Sequence, residues 1–281
     1  MPVSRRSFLT RSALAGSSFI LSSLENFAAP LPEISAAPGF SLKIMATNWG
    51  FPGSITEFCT AARKEGYDGI EMWLPGNGDA KNELRKATAQ EGLLTGLLCA
   101  GSDREFSAHF RQFRENLSAA AAFKPIYINC HSGKDFFSFE QNKQIIDYSY
   151  EVAAKTGIPV YHETHRGRML FAAHITRDFI EKTPKLRLTF DVSHWCNVHE
   201  SLLADQQETI NLALNRVDHI HARIGHPEGP QVNDPRAPEC ENAVKAHVNW
   251  WDAVVERKKK EGSVLTCLTE FGPPDYMPTL P

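Results

Sequence analysis

From residue 41 the chain alternates between two hydropathy patterns. Short apolar, β-branched runs read as strands: LKIMATN, GIEMWL, LTGLLCA, IYINCHS, VYHET, LRLTFDV, HIHARI and LTCLTEF. Between them lie longer stretches of helical period, from SITEFCTAARKEG to ENAVKAHVNWWDAVVERKKKEG, and several stop at a glycine. Apolar strands separated by helices build a parallel sheet, and eight such units close into a (β/α)8 TIM barrel. An open doubly wound sheet is the alternative, but no glycine-rich phosphate loop follows the first strand. After the eighth strand comes FGPPDYMPTLP, whose adjacent prolines bar a helix of normal length. The barrel is therefore expected to lack its eighth helix. Residues 22–40 or a second subunit should cover the flank left open, which makes a homo-oligomer an expectation.

The first 37 residues stand outside this alternation. SRRSFLT, followed by the weakly apolar ALAGSSFILSSL, resembles a twin-arginine export signal. The apolar part is too short and too rich in Ser and Gly to span a membrane stably. This divides the chain into residues 1–37, an export signal and linker, and residues 38–281, one catalytic barrel. The expected location is the periplasm, with no membrane contact once the signal is removed. With 281 residues, 42% of them hydrophobic, the chain suffices for one large α/β domain. The formal charge of −3 leaves no basic surface for nucleic acid, since the run ERKKKEG sits where a helix end favours cations. None of the six cysteines forms a CxxC pair, and spacing does not choose a pairing.

In a barrel of this kind chemistry gathers at the C-terminal ends of the strands. DVSHW, residues 191–195, places a carboxylate after a buried run and an imidazole three residues on. By itself such an Asp is a helix cap or turn former. It does not stand by itself. Glu163 ends the fifth strand, Asp191 the sixth, His221 lies in the seventh and Glu270 ends the eighth. Two Glu, one Asp and one His suit a divalent metal, Mn²⁺ in the first place, with Co²⁺, Zn²⁺ or Mg²⁺ compatible. Three unpaired carboxylates so close would repel one another without a cation.

The ordered set resembles the xylose-isomerase-like TIM barrels, and within them the sugar phosphate isomerase/epimerase group that includes ketose 3-epimerases and hydroxypyruvate isomerase. The resemblance covers roughly residues 41–275. It implies a metal tetrad at Glu163, Asp191, His221 and Glu270. It also implies that His194 of DVSH contacts substrate oxygens or the metal. HETHRGR and HARIGHPEGPQV resemble segments of group members that carry export signals. The same fold hosts the class II AP endonucleases with three zinc ions, and His131 in NCHSG resembles one of their zinc sites. Their DxH after the seventh strand is missing. NDPR stands there, with Arg236 in the place of the His. One metal is the expectation.

Further candidates surround the tetrad. Glu71 and His131 end the second and fourth strands and are candidates for binding substrate hydroxyls, or are plain rim residues. Arg223 shares strand parity with His221, so it should face the same mouth, either for substrate or in an ion pair. His219 has that parity one layer deeper and reads as support or core. His162 should face away from the axis, whereas His165 is near the rim. Trp49, Trp73 and Trp195 fall near strand ends, as walls for a sugar face or as core. The function read from these residues is a metal-dependent isomerase or epimerase of a sugar or keto-sugar. Glu163 and Glu270 would take and return a proton next to the carbonyl through an enediolate. A lyase or hydrolase on the same metal is the alternative, and a non-catalytic sugar-binding module ranks last.

Overall fold

The computed structural model describes residues 39–277. The export signal and nearly all of the residue 22–40 segment lie outside the described residues. Eight parallel strands close into a barrel in chain order: β1 (Ser41–Thr47), β2 (Gly69–Trp73), β3 (Leu94–Cys99), β4 (Tyr127–Cys130), β5 (Val160–Glu163), β6 (Leu188–Phe190), β7 (Val217–His221) and β8 (Val264–Thr269). The last strand pairs with the first from Ser41↔Val264 to Ala46↔Thr269. The helices are α1 (Ile55–Lys64), α2 (Gly78–Glu91), α3 (Phe106–Phe123), α4 (Phe139–Thr156), α5 (Ala173–Lys182), α6 (Val192–Val198), α7 (Gln207–Leu214) and α8 (Glu241–Glu261).

Local chemistry explains the alternation. Ser54 and Ser138 cap α1 and α4 in reciprocal boxes, with Glu57 and Gln141 bonding back to the cap backbone at 2.8 and 3.0 Å. Gly92, Gly157 and Gly262 end α2, α4 and α8 in the left-handed conformation. The β6–β7 connection carries two helices where the hydropathy pattern shows one. That makes eight helices among the described residues, although none follows β8. The outward side chains Ile44, Ala46, Leu265 and Cys267 of β1 and β8 are nonetheless buried, so the expected open flank is not bare there. No described helix is long and apolar enough to cross a membrane.

The barrel interior is layered. Met45, Tyr127 and Leu268 form an apolar cluster inside it. Tyr127 reaches across because Gly96 leaves room, a Cβ there standing 2.4 Å from its ring. Ion pairs and hydrogen bonds of Glu71, Asn129, His219 and His221 continue this interior toward the C-terminal mouth.

Two histidines outside the site bind the helices to the barrel. His162 faces outward, between Ser132 Oγ and Ser149 Oγ at 2.8 Å each. His247 of α8 accepts from Gly225 N–H at 3.2 Å and donates to Ala243 O at 2.8 Å. Burial pushes His162 down to about 3 and His247 down to about 4. The unfolded chain therefore binds more protons than the folded one below about pH 6.5. The stability these neutral rings contribute is complete above that pH and is lost as pH falls toward the folded values. Urea unfolding is expected to show a loss of about 2–3 kcal/mol per ring between about pH 7 and pH 4.5. A flat profile over that range would contradict this assignment.

Candidate active site

His221, at the end of β7, is the centre of the mouth. One of its nitrogens, Nε2, lies 3.0 Å from Glu71 Oε1 and 3.1 Å from Asn129 Nδ2. The other, Nδ1, lies 2.8 Å from Glu270 Oε2 and 3.6 Å from Glu163 Oε2. Burial would lower the pKa of this imidazole, but Glu163, Glu270 and Glu71 outweigh it and hold the group well above the usual histidine range. The glutamates respond in kind. Burial pushes Glu163 up, and the nearby His131 and His221 overcome it and hold the carboxyl well below the usual range. His221 and His219 do the same for Glu71. His219 thus supports the site from within the barrel, 3.0 Å from Glu71 Oε2 and 2.7 Å from Thr266 Oγ1.

Asp191 caps the helix that follows it and also joins the side chains at the mouth. Its Oδ1 accepts from Ser193 N–H at 3.1 Å and caps α6. Its Oδ2 takes a hydrogen bond from Arg223, whose guanidinium also lies 2.8 Å from His194 Nε2 and 3.6 Å from Glu270 Oε1. Arg223 is only 1% exposed and Asp191 is fully buried. Burial pushes Asp191 up to about 6; Arg223 opposes this, while Glu270 and Glu163 add to it. Burial is the main cause, and Arg223 offsets it only in part.

A cavity of about 440 Å³ opens above these groups. Glu71, His221, Arg223 and Glu270 line its inner part, and His131 and His165 also face it. Glu163, Asp191 and His194 are buried just outside its lining. Glu163 nevertheless meets the cavity through His131, whose Nε2 is 2.5 Å from its Oε2. Trp49 and Trp73 line the cavity. Trp195 does not. It is fully buried against Phe190, and its indole N–H donates to Leu170 O at 3.0 Å, because the chain becomes helical at Val192 and turns this side chain into the core. Two site residues escaped the sequence reading. Asn129, which donates to Glu163 Oε2 at 2.8 Å, shares strand parity with Tyr127 and His131, and that parity was a usable signal. Tyr276 lies beyond the last strand, where no period marks it.

The donor set fits a divalent cation. Ligand atoms of Asp191, His221 and Glu270 lie within 4.8 Å of one another, as do those of Glu163, Asp191 and His194. Glu163 Oε1 is buried without a hydrogen bond among the described residues, and Glu270 Oε2 and His221 Nδ1, 2.8 Å apart, make no further hydrogen bond there. Carboxylate oxygens with one imidazole suit such an ion, which also offsets the excess negative charge. Glu71, His219 and His221, and likewise His131, Glu163 and His165, form two more close groups of potential ligands.

A family model described as a xylose isomerase-like TIM barrel matches residues 59–249. No curated protein sequence matches the chain significantly. Among solved structures, the probable 3-DHS dehydratase AsbF of Bacillus anthracis superposes with a TM-score of 0.58 at 19% identity, over 83% of this chain and 94% of that one. The 3-keto-D-glucoside 4-epimerase YcjR of E. coli gives 0.53 at 17% identity, over 83% and 93%. A D-tagatose 3-epimerase-like protein gives 0.57 at 15% identity, over 80% and 89%. At these identities the likeness is one of fold.

Proposed function

Because the chain belongs to the xylose isomerase-like TIM-barrel family, we propose that it is a divalent-metal-dependent isomerase or epimerase of a sugar or keto-sugar. The observation that carries this reading is the convergence of Glu163, Asp191 and Glu270 on His221 and Arg223 at the cavity. The structural neighbours named as a 3-keto-D-glucoside 4-epimerase and a D-tagatose 3-epimerase-like protein suit it.

A divalent cation, with Mn²⁺ the first candidate, would be held by Glu163, Asp191, His221 and Glu270 and would polarise the substrate carbonyl. The chain's own groups do the rest. Glu270, which lines the cavity, would take the proton from the carbon next to that carbonyl. Glu163 would return a proton together with His131, the member of that pair that faces the cavity. Arg223 offers a guanidinium to the oxygen that gains charge. Asn129 fixes the Glu163 carboxylate by its bond to Oε2.

The test is a panel of ketoses and keto-glycosides, with products identified by NMR. Chelation is expected to abolish conversion and Mn²⁺ or Co²⁺ to restore it. Full conversion by chelated protein would refute the metal, and an elimination product in place of an epimer would replace the isomerase with a lyase.

A further inference from the structure

Two segments that neither barrel nor catalysis explains, IGHPEGPQV and FGPPDYM, meet beside the cavity. Gln231 lies in the loop between β7 and α8 and is 5% exposed. Its side-chain amide binds the backbone of Gly272 twice. Nε2 donates to Gly272 O at 3.2 Å, and Oε1 accepts from Gly272 N–H at 2.7 Å. Gly272 follows Glu270 by two residues, and a Cβ there would stand 2.5 Å from the Trp49 ring. From this fixed point the chain turns, with Tyr276 N–H and Met277 N–H both donating to Pro273 O. Tyr276 comes to rest edge-on to Trp49 with ring centroids 5.0 Å apart. Its ring covers the Arg223 guanidinium at 4.8 Å, and its hydroxyl accepts from Arg166 at 3.2 Å. Trp49 and Trp73, which line the same cavity, are 40% and 48% exposed. Large aromatic side chains grouped and left open around one cavity form the kind of apolar patch that marks a ligand-binding groove.

We infer that Gln231 is a positioning residue that holds residues 271–277 as the wall of an aromatic subsite, formed by Tyr276, Trp49 and Trp73, for the second ring of a glycoside. The inference rests on the sugar reading of the site. The ionic groups that engage a reacting ring are Glu270, His221, Arg223 and His131, the last beside Trp73. The aromatic faces add no carboxylate or imidazole, and they suit the apolar face of a further pyranose ring. A cavity of about 440 Å³ falls within the size range of sites that enclose ligands larger than a fragment.

Two measurements on the full chain test this without turnover. In backbone hydrogen exchange, Gln231→Ala should speed exchange at Gly272 and Tyr276 by about tenfold or more, and Tyr276→Phe should leave Gly272 unchanged. In titrations followed by tryptophan fluorescence, cellobiose should bind about tenfold more tightly than D-glucose. Tyr276→Ala and Gln231→Ala should abolish that preference, and Tyr276→Phe should retain it. Equal affinity for the two sugars, binding of neither, or a preference and an exchange rate untouched by Gln231→Ala would each overturn the inference. Because binding is read without catalysis, a failure of the isomerase reading leaves this result separately interpretable.

Discussion

Glu163→Gln and Glu270→Gln are each expected to lower kcat by about 10²- to 10⁴-fold, the range usual for loss of a positioned acid or base. Both variants keep a side chain of the same size and one carbonyl oxygen, so the barrel should fold and some metal affinity should remain. The two should differ in detail. Glu270 lines the cavity itself, whereas Glu163 is reached through His131 at 2.5 Å. His131→Ala should therefore resemble Glu163→Gln more closely than Glu270→Gln in its effect on turnover. A single Gln variant retains one base and can still exchange the substrate α-hydrogen with solvent without inverting the centre. Near-normal turnover by both Gln variants would dismiss the two-carboxylate mechanism and leave Glu71 as the next carboxylate in the cavity.

Asp191→Ala is expected to cost about 3–5 kcal/mol of stability, because it strands a buried guanidinium. Arg223 is 1% exposed, and Asp191 is its closest carboxylate, with Glu270 next at 3.6 Å. The same change removes the cap of α6. Asp191→Asn keeps one oxygen, which can serve either Ser193 N–H or Arg223 but not both, and it should cost less than Ala. Urea unfolding in chelator at about pH 8 isolates this term, since bound metal then contributes nothing and the carboxyl, raised to about 6, is ionised. An Asp191→Ala variant within about 1 kcal/mol of the parent would mean that Glu270 swings over to serve Arg223 unaided.

The residues that were legible in the sequence share one property: a period marks them. Glycine stops precede β5 and β8 and an Asp cap follows β6, so the ends of these strands could be placed closely enough to bring Glu163, Asp191 and Glu270 to one rim. Parity then put His219, His221 and Arg223 on the same side of β7 and its extension. The reading weakened where the period changes. After Asp191 the chain is helical, so His194 returns to within 3.5 Å of the Asp191 carboxylate while Trp195 enters the core. The loops carry no period at all. Nothing in FGPPDYM announces that Tyr276 lies over Arg223, or that Gln231, some forty residues earlier, holds its segment by a backbone pairing. Those contacts are set by the closed barrel, which brings the segments after β7 and β8 side by side.

Proton transfer next to a carbonyl is the central claim, and solvent deuterium measures it most directly. The wild-type protein, loaded with Mn²⁺ and given a ketose or keto-glycoside that it converts, should be run in D₂O and the product read by NMR. The two-carboxylate account predicts deuterium at the inverted carbon of the product, none at the other carbons, and no incorporation in chelator. Converted product that carries only hydrogen at that carbon would contradict it, since the hydrogen would then have moved without passing through a base open to solvent.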